Sequence, residues 1–453
     1  MPELAWRKHM VRVGSYEWSA DEQPSDLGEH RRHVEPWLAA LLQAEHLNLL
    51  IGSGLTLAIA SQAGVSGLDM GMHSFQRTMA DAVEKAAKKS AERCQRGEPN
   101  IEDQIRVILE LIGGLRVLAE GVESGRYGSH PAKDAVGLLG EWETELDNFL
   151  LGFAKKILAT EREMERVFRT EPEKGEQARY LLGSFLLTFA SRAASRERLH
   201  IFTTNYDRLI EYGCDMLGLR ILDRFVGQLS PIFRSSRLGV DFHYSPPGIR
   251  GEPRYLEGVI HMTKLHGSID WRREEESSGR YEIRRCGIPF GAVESDACLP
   301  SRPRDSIIIY PNPAKDVETL EYPYADLFRD FAAATCQPNA VIVTYGYGFG
   351  DAHINRVIRD MLTIPSTHLA ILSYNDPGGR IQRFCETVGH EEQITLLIGS
   401  HFGDINTLVE RYLPKPAIDR TTWRMVEILN RRKPQNGKNS NNKWECSTEE
   451  AQK

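Results

Sequence analysis

Residues 201–213 read IFTTNYDRLIEYG. An apolar pair, Ile201-Phe202, gives way to two threonines, an asparagine, a tyrosine and an aspartate, and a helical pattern then begins at once. A strand that stops on Asn205 and Asp207 is either a capped strand-to-helix turn or a turn that holds a ligand. The same arrangement recurs along the chain. Apolar runs at 199–204, 258–267, 306–310, 339–346, 367–374 and 394–399 are short and rich in Ile, Val and Leu. Helical patterns over 322–335, 351–362 and 378–388 separate several of them. Short buried strands alternating with helices predict an α/β fold, a Rossmann-like parallel sheet with helices on both faces.

Upstream, LNLLIGSGLTLAIA (47–60) reads as a strand, a glycine turn and a small-residue helix. A short helix is expected over 33–46, and residues 1–34 are polar and poorly periodic. From about 66 to 198 the pattern is almost entirely helical, with apolar residues at i, i+3, i+4 and i+7 in 101–121 and 178–196. The expected organisation is a segment 1–46, a ligand-binding domain 47–400 with a helical insertion 66–198, C-terminal helices 401–434 and a polar, disordered tail 435–453. Two irregular stretches interrupt the strands, 220–256 and 272–305; the second is charged and is a candidate lid.

Composition narrows the classes. The chain has 453 residues, 41% hydrophobic and 26% charged, with a net charge of −7. That is globular composition, and the charge argues against a surface built mainly to hold nucleic acid. The seven cysteines, at 94, 214, 286, 298, 336, 385 and 446, form no C-x-x-C pair, so neither a zinc module nor a disulfide framework is expected. The expected compartment is the reducing cytoplasm. The N-terminus lacks a signal-peptide core, and no run approaches the length of a membrane span. The locally basic stretch 420–443 can touch phosphates, but a charge run reads more often as a solvated one.

Parallel sheets bind ligands at the carboxyl ends of their strands. There stand Gly52, Ser53, Gly54, Leu55 and Thr56; Asn205, Tyr206 and Asp207; His266 through Trp271; Gly346 through Asp351; and Ser373, Tyr374, Asn375 and Asp376. Glycines at 52 and 54 suit either a diphosphate or a tight βα connection. Leu57 breaks the ordinary G-x-G-x-x-G dinucleotide fingerprint. Asp351 is a good helix cap, and the aromatics of YGYGFGD can stack on a base or pack inward. His266 is the one imidazole at the rim, able to take a proton from a substrate hydroxyl. Asn205 can both donate and accept.

These four blocks, GSGLT (52–56), TNYD (204–207), KLHGSIDW (264–271) and GYGFGD (346–351), resemble in content and order the sirtuin-like domains of bacterial anti-phage defence proteins. The likeness covers about 47–60 and 199–400 and omits the helical insertion. It differs from protein-deacylating sirtuins, whose zinc-binding C-x-x-C pairs are missing here. Their T-Q-N-I-D reads T-T-N-Y-D, and their G-T-S block is replaced by G-Y-G-F-G-D.

The resemblance implies hydrolysis of NAD+ to nicotinamide and ADP-ribose in a defence setting, with no metal. It also implies a homo-oligomer that assembles with a HerA-like ATPase encoded nearby and is gated by that assembly. On this reading Asn205 and His266 are catalytic. Gly52, Ser53, Gly54, Leu55 and Thr56 bind the diphosphate, with Tyr206 and Asp207 beside them. Gly346, Gly348, Phe349 and Asp351 line the adenosine side, and Ser373 and Asn375 complete it. Contacts between subunits are expected on the helical insertion. Alternatives are a non-catalytic NAD or ADP-ribose sensor within an ATPase or nuclease complex, and a protein deacylase.

Overall fold

The computed structural model describes residues 5–67, 71–93, 97–123, 131–193, 195–235, 241–244, 254–275, 281–293, 299–300, 303, 307–309 and 322–415. The chain divides into two compact units, Met1–Pro414 and Lys415–Lys453. The second lies, apart from Lys415, outside the described residues, as do most of the expected C-terminal helices, the basic stretch and the tail.

The first unit is organised by a nine-stranded sheet. Its strands along the chain are β1 (His9–Val13), β2 (Tyr16–Ala20), β3 (His46–Ile51), β4 (His200–Thr203), β5 (Arg220–Leu222), β6 (Val259–Lys264), β7 (Ala340–Tyr345), β8 (His368–Ser373) and β9 (Ile394–Ile398). Their spatial order is β2-β1-β9-β8-β7-β3-β4-β6-β5. From β9 to β5 every pairing is parallel; β1 and β2 add an antiparallel hairpin at one edge. The order reverses at β3. Going forward the chain builds β4, β6 and β5 on one side of it, then returns to place β7, β8 and β9 on the other. The gap between the carboxyl ends of β3 and β7 is therefore the switch point, where open α/β sheets bind ligands.

The parallel strands are buried on both faces, as their continuous apolar runs require. Leu47, Leu49 and Ile51 of β3 belong to one core with helices α1 (Leu27–Leu41), α2 (Ser53–Ala63), α6 (Pro172–Ala190) and α7 (Leu209–Leu217). Leu50, Phe202, Ile342 and Ile371 belong to the opposite core with α8 (Tyr324–Thr335), α9 (Ala352–Leu362) and α10 (Arg380–Val388). A third core lies within α3 (Ala80–Arg93), α4 (Ile101–Glu123) and the 40-residue α5 (Pro131–Thr170). Among the described residues of 66–198, three helices thus form a bundle, followed by α6, which packs on the sheet.

Some expectations need correction. The first 34 residues contain the hairpin β1–β2, and α1 begins at Leu27, capped by Asp26, six residues earlier than its apolar pattern. The stretch 272–305 is not uniformly irregular: Gly267–Glu275 pairs antiparallel with Tyr281–Arg285. The run at 306–310 supplies Ile307–Ile309 to that same five-stranded second sheet, not to the parallel one. Residues 220–256 supply the parallel edge strand β5 and two short strands of the second sheet. No described helix is long and apolar enough to cross a membrane.

Candidate functional site

Two glycine turns meet at the switch point. Gly52 donates its amide to Tyr345 O (3.1 Å) and Gly54 donates to Gly346 O (3.2 Å). A Cβ on Gly54 would stand 2.4 Å from Gly346 Cα, and one on Gly52 2.4 Å from Gly346 O. Gly346 itself has φ +61°, a left-handed conformation that glycine adopts without cost. These glycines thus let two backbones interlock, and that interlock sets the floor of a cavity of about 320 Å³.

The turn after β4 forms the next wall. Thr203 and Lys264 are register partners on adjacent strands, and Asn205 and His266 each stand two residues beyond them. Both side chains are buried, and both line the cavity. Asn205 spends its amide hydrogens on Gly52 O (3.1 Å) and Thr56 Oγ1 (3.1 Å). Its Oδ1 is left as an acceptor for a ligand. Thr56 Oγ1 in turn donates to Asp207 Oδ2 (2.8 Å), while Asp207 Oδ1 accepts from Leu209 N (3.1 Å). Asp207 therefore ties the helix start to the glycine turn, and its carboxylate is occupied within the protein. Lys264, buried at the end of β6, donates to Asp207 O (2.5 Å) and to Glu211 (2.9 Å).

His266 Nε2 lies 2.8 Å from Asp351 Oδ2. The other oxygen of Asp351 caps α9, accepting from His353 N (3.0 Å) and Ile354 N (3.4 Å). A helix N-terminus favours the ionised carboxylate. An ionised carboxylate only accepts, so against it the imidazole carries its proton on Nε2 and Nδ1 is the acceptor nitrogen. Asp351, expected on the adenosine side, lines the cavity and also stands against the imidazole.

The cavity gathers Gly52, Ser53, Thr56, Asn205, Tyr206, Asp207, Gly346, Gly348 and Asp351 with His266. It does not gather Gly54, Leu55, Phe349, Ser373 or Asn375. Leu55 is fully buried in the sheet core, because one step round the helix from Ser53 and Thr56 turns a side chain inward. Phe349 is buried and packs on Phe384, with ring centres 4.9 Å apart. Ser373 Oγ donates to Asn375 O (2.7 Å), closing its own turn.

Other lining residues come from elements that carried no signal of chemistry. Arg380, the first residue of α10, brings a cation to the cavity beside Gly348. Asn100 and Glu102 come from the start of α4, and Ile157, Thr160, Glu161 and Met164 from α5. Only knowledge of the cavity distinguishes these from ordinary amphipathic helix positions. Burial pushes the Glu161 carboxyl up to about 7, and Arg208 pulls it the other way. With guanidinium and backbone donors all directed at it, the surroundings are built for the carboxylate.

A larger cavity, about 840 Å³, opens beside the first residues of β3 and β4 and against α8. Its acids are already engaged, Asp330 by Arg224, Asp223 by Arg285 and Glu197 by His46. It lies away from the glycine turns and the carboxyl ends of the central strands, so the smaller cavity is the functional candidate. Among the described residues no group of His, Cys, Asp and Glu is placed to hold a metal ion.

The model of the SIR2-like domain family matches residues 199–397. No curated protein matches the chain. The matched span runs from β4 to β9 and includes Asn205, His266, Asp351 and Arg380; the glycine turn after β3 and helices α1 to α6 fall outside it. Residues 199–397 carry a SIR2-like domain, a class of domain that uses NAD+.

Proposed function

We propose that the protein is an NAD+ glycohydrolase, releasing nicotinamide and ADP-ribose. One observation carries the reading: an amide oxygen and a carboxylate-oriented imidazole stand on adjacent strand tips, facing one cavity floored by the glycine turns.

Cleavage of the nicotinamide C1′–N1 bond builds positive charge on the ribose, as in glycoside hydrolysis. Nicotinamide leaves with the bonding electron pair as a neutral molecule. Water supplies the new C1′–O bond and loses one proton. Asn205 Oδ1 accepts a hydrogen from that water or from a ribose hydroxyl, holding it at the reacting carbon. His266 Nδ1 takes the proton, and Asp351 stabilises the imidazolium so formed. Ser53, at the start of α2, and Arg380, lining the same cavity, are suited to the diphosphate. The reading is tested by following nicotinamide release from NAD+ by the purified chain and by its His266→Ala and Asn205→Ala variants. Release by the wild-type chain that is lost in both variants supports it.

We further place this activity in anti-phage defence, carried out by a homo-oligomer gated by assembly with a HerA-like ATPase. The order of the four sequence blocks supports that setting, and uncontrolled NAD+ loss would harm the host. Nicotinamide release measured with and without that ATPase tests the gate.

A further inference from the structure

We infer that Glu161 is a positioning residue through which helix α5 sets the turn bearing Asn205, so that the helical bundle controls the site. The inference rests on the NAD+ hydrolase reading for its activity arm.

Helix α5 passes from one core into another. Trp142, Leu146, Leu150, Phe153, Ile157 and Leu158 lie in the bundle core, whereas Met164, Val167 and Phe168 lie in the core under the sheet. At about 1.5 Å per residue, its 40 residues make a rod about 60 Å long. Glu161 sits where the rod leaves the bundle. It is fully buried, a costly place for a carboxylate without partners.

Its partners all come from one residue. Glu161 Oε1 accepts from the Arg208 backbone amide (2.8 Å) and from Nε (3.3 Å), and Oε2 accepts from Nη2 (2.5 Å). Arg208 follows Asp207 directly, and Asp207 shares Thr56 with Asn205. A short relay therefore runs from α5 to the catalytic amide: Glu161, Arg208, Asp207, Thr56, Asn205. The guanidinium also donates to Ile288 O and to Pro289 O, fastening the segment after the Tyr281–Arg285 strand to the same point. Tyr206 and Ile269, from the two catalytic strand ends, are members of the bundle core. A movement of the bundle thus reaches the Asn205 turn by packing and by the ion pair together.

The test uses the full chain. Glu161→Gln keeps the shape and an acceptor for the Arg208 amide but removes the ion pair; Arg208→Lys removes the fork from the other side. For both, kcat for nicotinamide release should fall about tenfold or more while KM for NAD+ stays within about threefold. Thermal melting should show a folded protein. Hydrogen exchange of the amides at 204–208 should accelerate in the ligand-free variants. Normal kcat and unchanged exchange in both folded variants would overturn the inference. A purely structural pair would lower the melting temperature and leave kcat of the folded fraction as it was. Should the wild-type chain release no nicotinamide with or without a partner, the hydrolase reading fails separately. Exchange at 204–208 and ADP-ribose affinity, measured by calorimetry, then decide whether the relay exists.

Discussion

At the scale of single residues, the site is a set of groups whose partners leave one atom each for chemistry. Asn205 has both amide hydrogens committed, and His266 has Nε2 committed. Replacing either by alanine should reduce nicotinamide release by about 10²–10⁴-fold with the fold retained, as checked by circular dichroism and rate. Asp351→Asn should cost less, though at least about tenfold in the rate of nicotinamide release. An amide can hold the ring but cannot stabilise its cation. These residues could be singled out in the sequence because they are polar groups that punctuate apolar runs. Leu55, Phe349, Ser373 and Asn375 also stand near strand ends but do not line the cavity, since nearness to a strand end does not fix where a side chain turns. Arg380 and Glu161 were invisible, because on a helix the period alone does not say which neighbour a face meets.

At the scale of elements, the parallel strands were readable since burial on both faces demands unbroken apolar runs. The edges were not. β2 is partly exposed along its length, and the Gly267–Glu275 and Tyr281–Arg285 hairpin is rich in charge, so neither shows a clean run. The two glycine turns also hid their chief purpose. Gly346→Ala places a Cβ 2.5 Å from Gly54 Cα on a backbone with positive φ. It should lower stability to urea by about 1–3 kcal/mol, since overpacking and a left-handed alanine both cost. It should also weaken ADP-ribose binding by spreading the floor of the cavity. Urea titration and calorimetry check the two parts.

For the whole molecule, three cores meet at one turn, and stability has a pH signature of its own. His401 is almost wholly buried, and burial first, then His9 and His30, lower its pKa to about 3. Burial lowers His368 to about 4 and His200 well below its ordinary value. In the unfolded chain these rings take protons near 6.5, so between about 3 and 6.5 the unfolded state binds more protons than the folded one. Stability is therefore full above 6.5 and falls on acidification, by up to about 1.4 kcal/mol per pH unit for each such ring. Melting temperature should drop between pH 7 and pH 5. His401→Leu should flatten that slope, because neither ring nitrogen of His401 has a hydrogen-bond partner to lose.

The docking of Gly54 on Gly346 joins two turns that lie far apart in the chain. β3 has no neighbour on that side until β7 is made, and β1 must wait for β9. A nascent polypeptide on the ribosome therefore lacks a finished pocket until β7 and the turn after it are made, and a fragment broken between β3 and β7 has none. Two separately expressed halves, divided between β3 and β7, would complete the cavity only on finding each other.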